Sequence, residues 1–153
     1  MLTDGKVYRT VDGRNWSRTI GLSYQGHNGY AIDALDKNTA VVSLTNGIFR
    51  TTDGGSNWQA ISVQRGGAAL ALQSNLYVWV SSQHKIFHTT DGGGLWFEQF
   101  DDTSKAVYIN YIKFVDAQNG IAMGDPASNS PRLFIYTKDG GATWNQRLPI
   151  LKN

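Results

Sequence analysis

The chain has 153 residues, a formal net charge of +2, no cysteine, three prolines, 17 glycines and five tryptophans. That length fits one domain or a piece of one, and an apolar fraction of 41% is that of a globular chain rather than a disordered one. The missing cysteine excludes a disulfide scaffold, a thiolate metal site and a cysteine nucleophile, and 14 Lys+Arg against 12 Asp+Glu, with no basic run, gives no footprint for nucleic acid.

Glycine stands above its usual ~7% share, and it is not spread evenly. Eight of the 17 glycines and four of the five tryptophans fall in four similar segments, residues 7–16, 48–58, 86–96 and 134–144. Their tryptophans, Trp16, Trp58, Trp96 and Trp144, are 42, 38 and 48 residues apart. A period of ~40–50 residues fits four-stranded propeller blades. The apolar runs between are short, β-branched or aromatic, and broken by Gly, Asn or Asp, which is a strand-and-turn pattern rather than a helical one.

In chain order, the first expected element is a C–D half-blade over 1–20, with its turn between Val7 and Arg18. Strands follow at 30–35, 39–44, 47–51 and 58–62, making a blade over 28–62. The next blade, 66–100, has strands at 67–72, 76–81, 85–89 and 95–100, and the last, 107–148, at 109–115, 120–124, 132–137 and 143–147. The expected class is all-β: three four-stranded blades plus a C–D half-blade in one propeller segment. A propeller closes with ~4–8 blades, so three and a half imply a partial propeller or part of an assembled ring. Self-association to complete that ring is one expectation. No apolar run approaches the ~18 residues of a membrane span, and no signal-peptide pattern is present in this chain.

The turn joining C to D repeats as Thr10-Val-Asp12, Thr51-Thr-Asp53, Thr89-Thr-Asp91 and Thr137-Lys-Asp139, each leading through glycine to tryptophan. An Asp carboxylate there accepts bonds from backbone N–H groups that the ladder leaves unpaired. Glycine permits positive φ, and tryptophan buries a large ring on the neighbouring sheet. Four copies of one turn point to a structural role, since a single active site needs no such repetition. Calcium is not expected, because each turn offers a single carboxylate.

These segments resemble the Asp-box, or BNR repeat, of sialidases, sortilin-type receptors and photosystem II assembly factor-like propellers. The resemblance places Thr10, Asp12 and Trp16 in the first box, which is one residue short and so expected to be distorted. It places Thr51, Asp53, Gly55 and Trp58 in the second, Thr89, Asp91, Gly93 and Trp96 in the third, and Thr137, Asp139, Gly141, Thr143 and Trp144 in the fourth. Asn57 and Leu95 stand in the late threonine slot of the second and third. A sialidase would imply an arginine triad and a tyrosine–glutamate pair, but the one glutamate, Glu98, falls on an outer D strand and no early arginine motif is present.

A paired-carboxylate glycosidase requires two acids at a set separation. Asp33, Asp36, Asp116 and Asp125 are the candidates, and A–B hairpin turns account for Asp36 and Asp116. Asp125, Ser128 and Asn129 lie in a long B–C loop over 124–131, the candidate ligand loop. His27, His84 and His88 lack metal-triad spacing, and His84 with His88 reads as a solvated pair. Tyr77, Trp79, Tyr108 and Tyr111 alternate along strands and are expected in blade-to-blade packing. The run from Phe114 to Pro126 with the fourth box is similar to bacterial photosystem II stability/assembly factor-like proteins. That resemblance implies a periplasmic or extracellular setting and a membrane-protein precursor bound through arginines, with Arg9, Arg14, Arg18 and Arg50 as the corresponding patch.

The expected function is thus a non-catalytic binding or scaffold module whose partner is a protein or a glycan. Its alternative is a fragment of a glycoside hydrolase or sialidase-like enzyme with catalytic residues partly outside this chain. No catalytic residue, cofactor or metal is assigned.

Overall fold

The computed structural model describes residues 2–3, 6–19, 22, 28–62, 66–102, 107–126 and 132–146. Their regular elements are all strands. β1 (Leu2–Thr3), β2 (Lys6–Arg9) and β3 (Ser17–Arg18) form a three-stranded sheet. Three four-stranded sheets follow: β4 (Gly29–Ala34), β5 (Ala40–Leu44), β6 (Gly47–Thr51) and β7 (Gln59–Ser62); β8 (Leu70–Leu72), β9 (Val78–Ser82), β10 (Lys85–Thr89) and β11 (Phe97–Asp101); β12 (Val107–Phe114), β13 (Gly120–Pro126), β14 (Leu133–Thr137) and β15 (Asn145–Gln146). Each sheet is antiparallel with its strands in chain order, the arrangement of propeller blades. At the start of the chain, β1 adds one further strand to the C–D pair.

The blades stack face to face, so their central strands are apolar on both sides. In β5, Val41 belongs to the cluster shared with the second blade, while Val42 and Leu44 belong to the cluster shared with the first sheet; all three are fully buried. Each such side chain contributes ~1.5–3 kcal/mol by leaving water. Between the second and third blades the packing is aromatic. Trp79, 0% exposed, lies between Phe114 at 3.7 Å and His88 at 4.2 Å, ring centre to ring centre and nearly parallel. His88 is therefore a buried stacking partner and not half of a solvated pair, while His84 precedes β10 in the B–C turn.

Polar contacts tie the innermost strands together. Ser43 Oγ donates to the carbonyl of Gly67 at 2.9 Å and accepts from its N–H at 2.7 Å. One blade further on, Ser81 Oγ donates to the Ile109 carbonyl at 2.8 Å. Asp33 of the first blade reaches two others, accepting from Leu72 N at 2.9 Å and meeting Lys113 Nζ at 3.7 Å.

Several boundaries depart from the sequence reading. β8 begins at Leu70 rather than residue 67 because the Gly67 N–H is engaged by Ser43 instead of a ladder partner. The D strands begin after their tryptophans, because the residues before them are held in the turn. Asp125, expected in the B–C loop, lies in β13 opposite Tyr108. Ser128, Asn129, His27 and the tail from residue 147 lie outside the described residues.

Candidate functional site

The blades present two distinct ends. At one end lie the C–D turns. Thr51 Oγ1 donates to Asp53 Oδ1 at 2.8 Å and accepts from Gly55 N at 2.8 Å, while Asn57 bonds the same carboxylate through its N–H at 2.9 Å and its side-chain amide at 2.7 Å. The fourth turn repeats this with Thr137, Asp139, Gly141 and Thr143. In the third, Leu95 gives Asp91 its backbone N–H alone, at 3.0 Å.

These donors hold the carboxyls of Asp53 and Asp139 down at about 2, chiefly through Asn57 and Thr143 respectively. Asp91 is lowered as well, first by Leu95 N. The first turn, although one residue shorter, keeps the pattern. Thr10 Oγ1 donates to Asp12 Oδ1 at 2.9 Å and Asn15 N to the same oxygen at 2.8 Å. It uses one positive-φ glycine, Gly13, where the others use two in succession.

The residues just before the first three turn threonines reach toward the next sheet, His88 by way of Gln99. Arg9 donates to the Gly54 carbonyl at 3.2 Å. Arg50 donates to the Asn75 carbonyl at 2.6 Å. His88 Nδ1 meets Gln99 Nε2 at 3.3 Å, and that amide donates to the Gly140 carbonyl at 3.1 Å. Burial pushes the His88 imidazole down to about 4. Arg9 and Arg50 are thus engaged between sheets, which departs from the arginine patch implied by resemblance.

At the opposite end lie the B–C turns, and here charged groups gather on the surface. Lys85 Nζ bridges Glu98 at 2.9 Å and Asp101 at 3.0 Å, with His84 Nε2 3.7 Å from Asp101. The paired carboxylates hold the Lys85 ammonium above its ordinary value, Glu98 first. Gln83, in the turn, takes a φ of 55°, a left-handed conformation uncommon for a residue with a Cβ. Its carbonyl accepts from Ile109 N at 2.8 Å, locking the turn to the third blade. There Asp125 is flanked by Arg132 at 3.0 Å and by the Asn110 amide at 2.7 Å.

Among the sequence candidates, Asp36 and Asp116 cap A–B turns through Asn38 and Thr39, and Gln118 and Asn119. Trp79 packs between blades as expected. Tyr108 and Tyr111 do not: they are 55% and 42% exposed, beside Met123 at 38%. They lie on the third blade's outer face, whose counterparts in the first two blades are covered by the next sheet. Alternation alone could not reveal this, because strand period assigns a face but not its neighbour.

No family model matches the chain, and no curated protein matches it. Solved structures do. The chain is similar to YCF48 bound to a D1 peptide, at 21% identity over 77% of this chain and 38% of that one, with a TM-score of 0.60. It is similar to an ancestral GH74 enzyme at 14% identity, over 91% of this chain and 20% of that one, with a TM-score of 0.65. YCF48 from Cyanidioschyzon merolae matches at 17% identity over 78% of this chain and 42% of that one, TM-score 0.54. The chain spans less than half the length of these structures, and the likeness establishes a β-propeller fold.

Proposed function

We propose that this chain is a non-catalytic binding module whose partner is a protein, with its contacts at the B–C end of the second and third blades. One observation carries the reading. Ten carboxylates among the described residues are engaged: Asp12, Asp53, Asp91 and Asp139 in C–D turns, Asp36 and Asp116 in A–B turns, Asp33 and Asp101 with lysines, Glu98 with Lys85 and Asp125 with Arg132. A glycosidase needs one raised acid facing one free carboxylate, whereas turn hydrogen bonds hold the carboxyls of Asp12, Asp36, Asp53, Asp91, Asp116 and Asp139 below their ordinary value. The exposed Asp125–Arg132 pair on the third blade and the Lys85 cluster on the second, with Gln83 in a left-handed conformation in the adjoining turn, instead suit recognition of a polar surface. YCF48, a fold neighbour, is bound to a D1 peptide in its structure, which is compatible with a protein partner here.

In this reading the four C–D turns are Asp-box fasteners that hold the scaffold and carry no chemistry. The other proposed partner is a second copy of the chain, or further blades, covering the exposed face at Tyr108, Tyr111 and Met123. Incubation with a panel of polysaccharides tests the non-catalytic reading, with no sugar release expected. Release that Asp125→Asn abolishes would overturn it.

A further inference from the structure

The third blade's outer face and the first sheet stand at the two ends of the stack, and each departs from the internal junctions. At every internal junction the second strand of one sheet meets the innermost strand of the next: β1 meets β4, β5 meets β8 and β9 meets β12. Small residues permit that approach. Ala31 pairs with Ser43 and Ala69 with Ser81, and the serine hydroxyls hold main chain of the following sheet, at Gly67 and Ile109. On the third blade the same two places carry Tyr111 and Met123, directly paired and 42% and 38% exposed.

The first sheet, among the described residues, has no innermost strand. β1 pairs with β2 as β5 pairs with β6, so it takes the second-strand place. A junction onto this sheet therefore lacks the strand that Ser43 and Ser81 clasp elsewhere, and it leaves a volume beside β1 that two large side chains suit. The sheet's turn is uncovered as well. Trp58, Trp96 and Trp144 each pack, partly buried, on the core shared with the preceding sheet, whereas Trp16 is 46% exposed. Arg9 and Arg50 crowd Gly54 and Gly92 of the following turns, while the space beside Gly13 is open.

We propose that two copies of this chain close a ring head to tail, the third blade of each packed on the first sheet of the other. Tyr111 and Met123 take up the room of the innermost strand. Tyr136, which holds the place of Arg50 before its turn threonine, reaches the turn at Gly13 and Trp16. Two copies bring eight sheets, four from each, and propellers close with ~4–8 blades. A two-fold axis along the ring makes the two junctions identical. Pairing two third-blade faces with each other is the poorer arrangement, because it leaves Trp16 and the first sheet uncovered in both copies. The proposal rests on the self-association part of the reading above and specifies which surface of the second copy is used.

The test is the mass of the whole chain by analytical ultracentrifugation over a range of concentrations. The expected result is twice the 16.9 kDa of one chain, with no growth beyond that as concentration rises. Tyr111→Ala with Met123→Ser installs residues that the other blades already use, so the fold is kept, and the dimer should weaken roughly tenfold or more. Trp16→Ser, on the opposite surface, should weaken it too, with the strand signal in circular dichroism retained. An equal mixture of the two variants should recover a dimer through the one junction left intact in the mixed pair. A dimer indifferent to Trp16→Ser, or species that grow beyond two copies, would overturn the ring while keeping self-association. A clean monomer of the unaltered chain would overturn both. Peptide binding, and its loss in Arg132→Ala, is read on the same samples, so the protein-partner reading stands or falls separately.

Discussion

The guanidinium of Arg50 occupies the space beside Gly92 so closely that a Cβ added to that glycine would stand 2.6 Å from Nη1. The pair joins the first blade to the second, and its counterpart is Arg9 beside Gly54. At the start of the series the corresponding position is open, since a Cβ on Gly13 would meet nothing within 4 Å. Both Gly92 and Gly13 have positive φ, 78° and 73°. Gly13→Ala is expected to lose the left-handed penalty alone, ~1–2 kcal/mol. Gly92→Ala should lose more, with part of the excess recovered in the double variant with Arg50→Ala. Urea unfolding of the four variants checks this, and equal losses at both glycines would refute the contact.

Leu95 is the weak point of the third turn. It is 63% exposed and gives Asp91 no side-chain bond, whereas Thr143 gives Asp139 one at 2.5 Å. Leu95→Thr supplies the missing donor and removes an exposed apolar side chain. A rise in Tm of roughly 2–4 °C is expected by calorimetry.

Acid should act in two stages. His88 has a folded value of about 4 against an ordinary 6.5, so the neutral ring's contribution is complete above 6.5 and is lost as pH falls toward 4. That contribution is on the order of 1–3 kcal/mol. Asp53 and Asp139, held at about 2 against an ordinary 3.8, contribute above 3.8 and lose it as pH falls toward 2. His88→Phe should flatten the stability profile between pH 6.5 and 4 and leave the lower limb unchanged, as read by urea midpoints across that range.

The third blade's outer face invites association. Met123 and Tyr136 stand where the two earlier blades carry Ser43 with Arg50 and Ser81 with His88, the residues that contact the next sheet. A second copy covering Met123, Tyr108 and Tyr111 would give a light-scattering mass above the 16.9 kDa of one chain, returned to that value by Met123→Glu. A clean monomer of the unaltered chain would contradict this.

The architecture is legible in the sequence because the Thr-x-Asp-to-Trp segments repeat, and a repeat reports strand order as well as strand presence. Asp125 is not, because Gly124 and Pro126 read as loop residues, while β13 ends its pairing only at Pro126 opposite Val107. The burial of His88 is hidden for a different reason. An imidazole reads as polar, and only the register that sets it across from Trp79 reveals a stacking partner.

The most direct measurement is binding of the whole chain to a peptide array and a glycan array side by side. Peptide binding weakened by Arg132→Ala or Asp125→Ala, without glycan binding, is the predicted result. Binding confined to glycans would contradict the account.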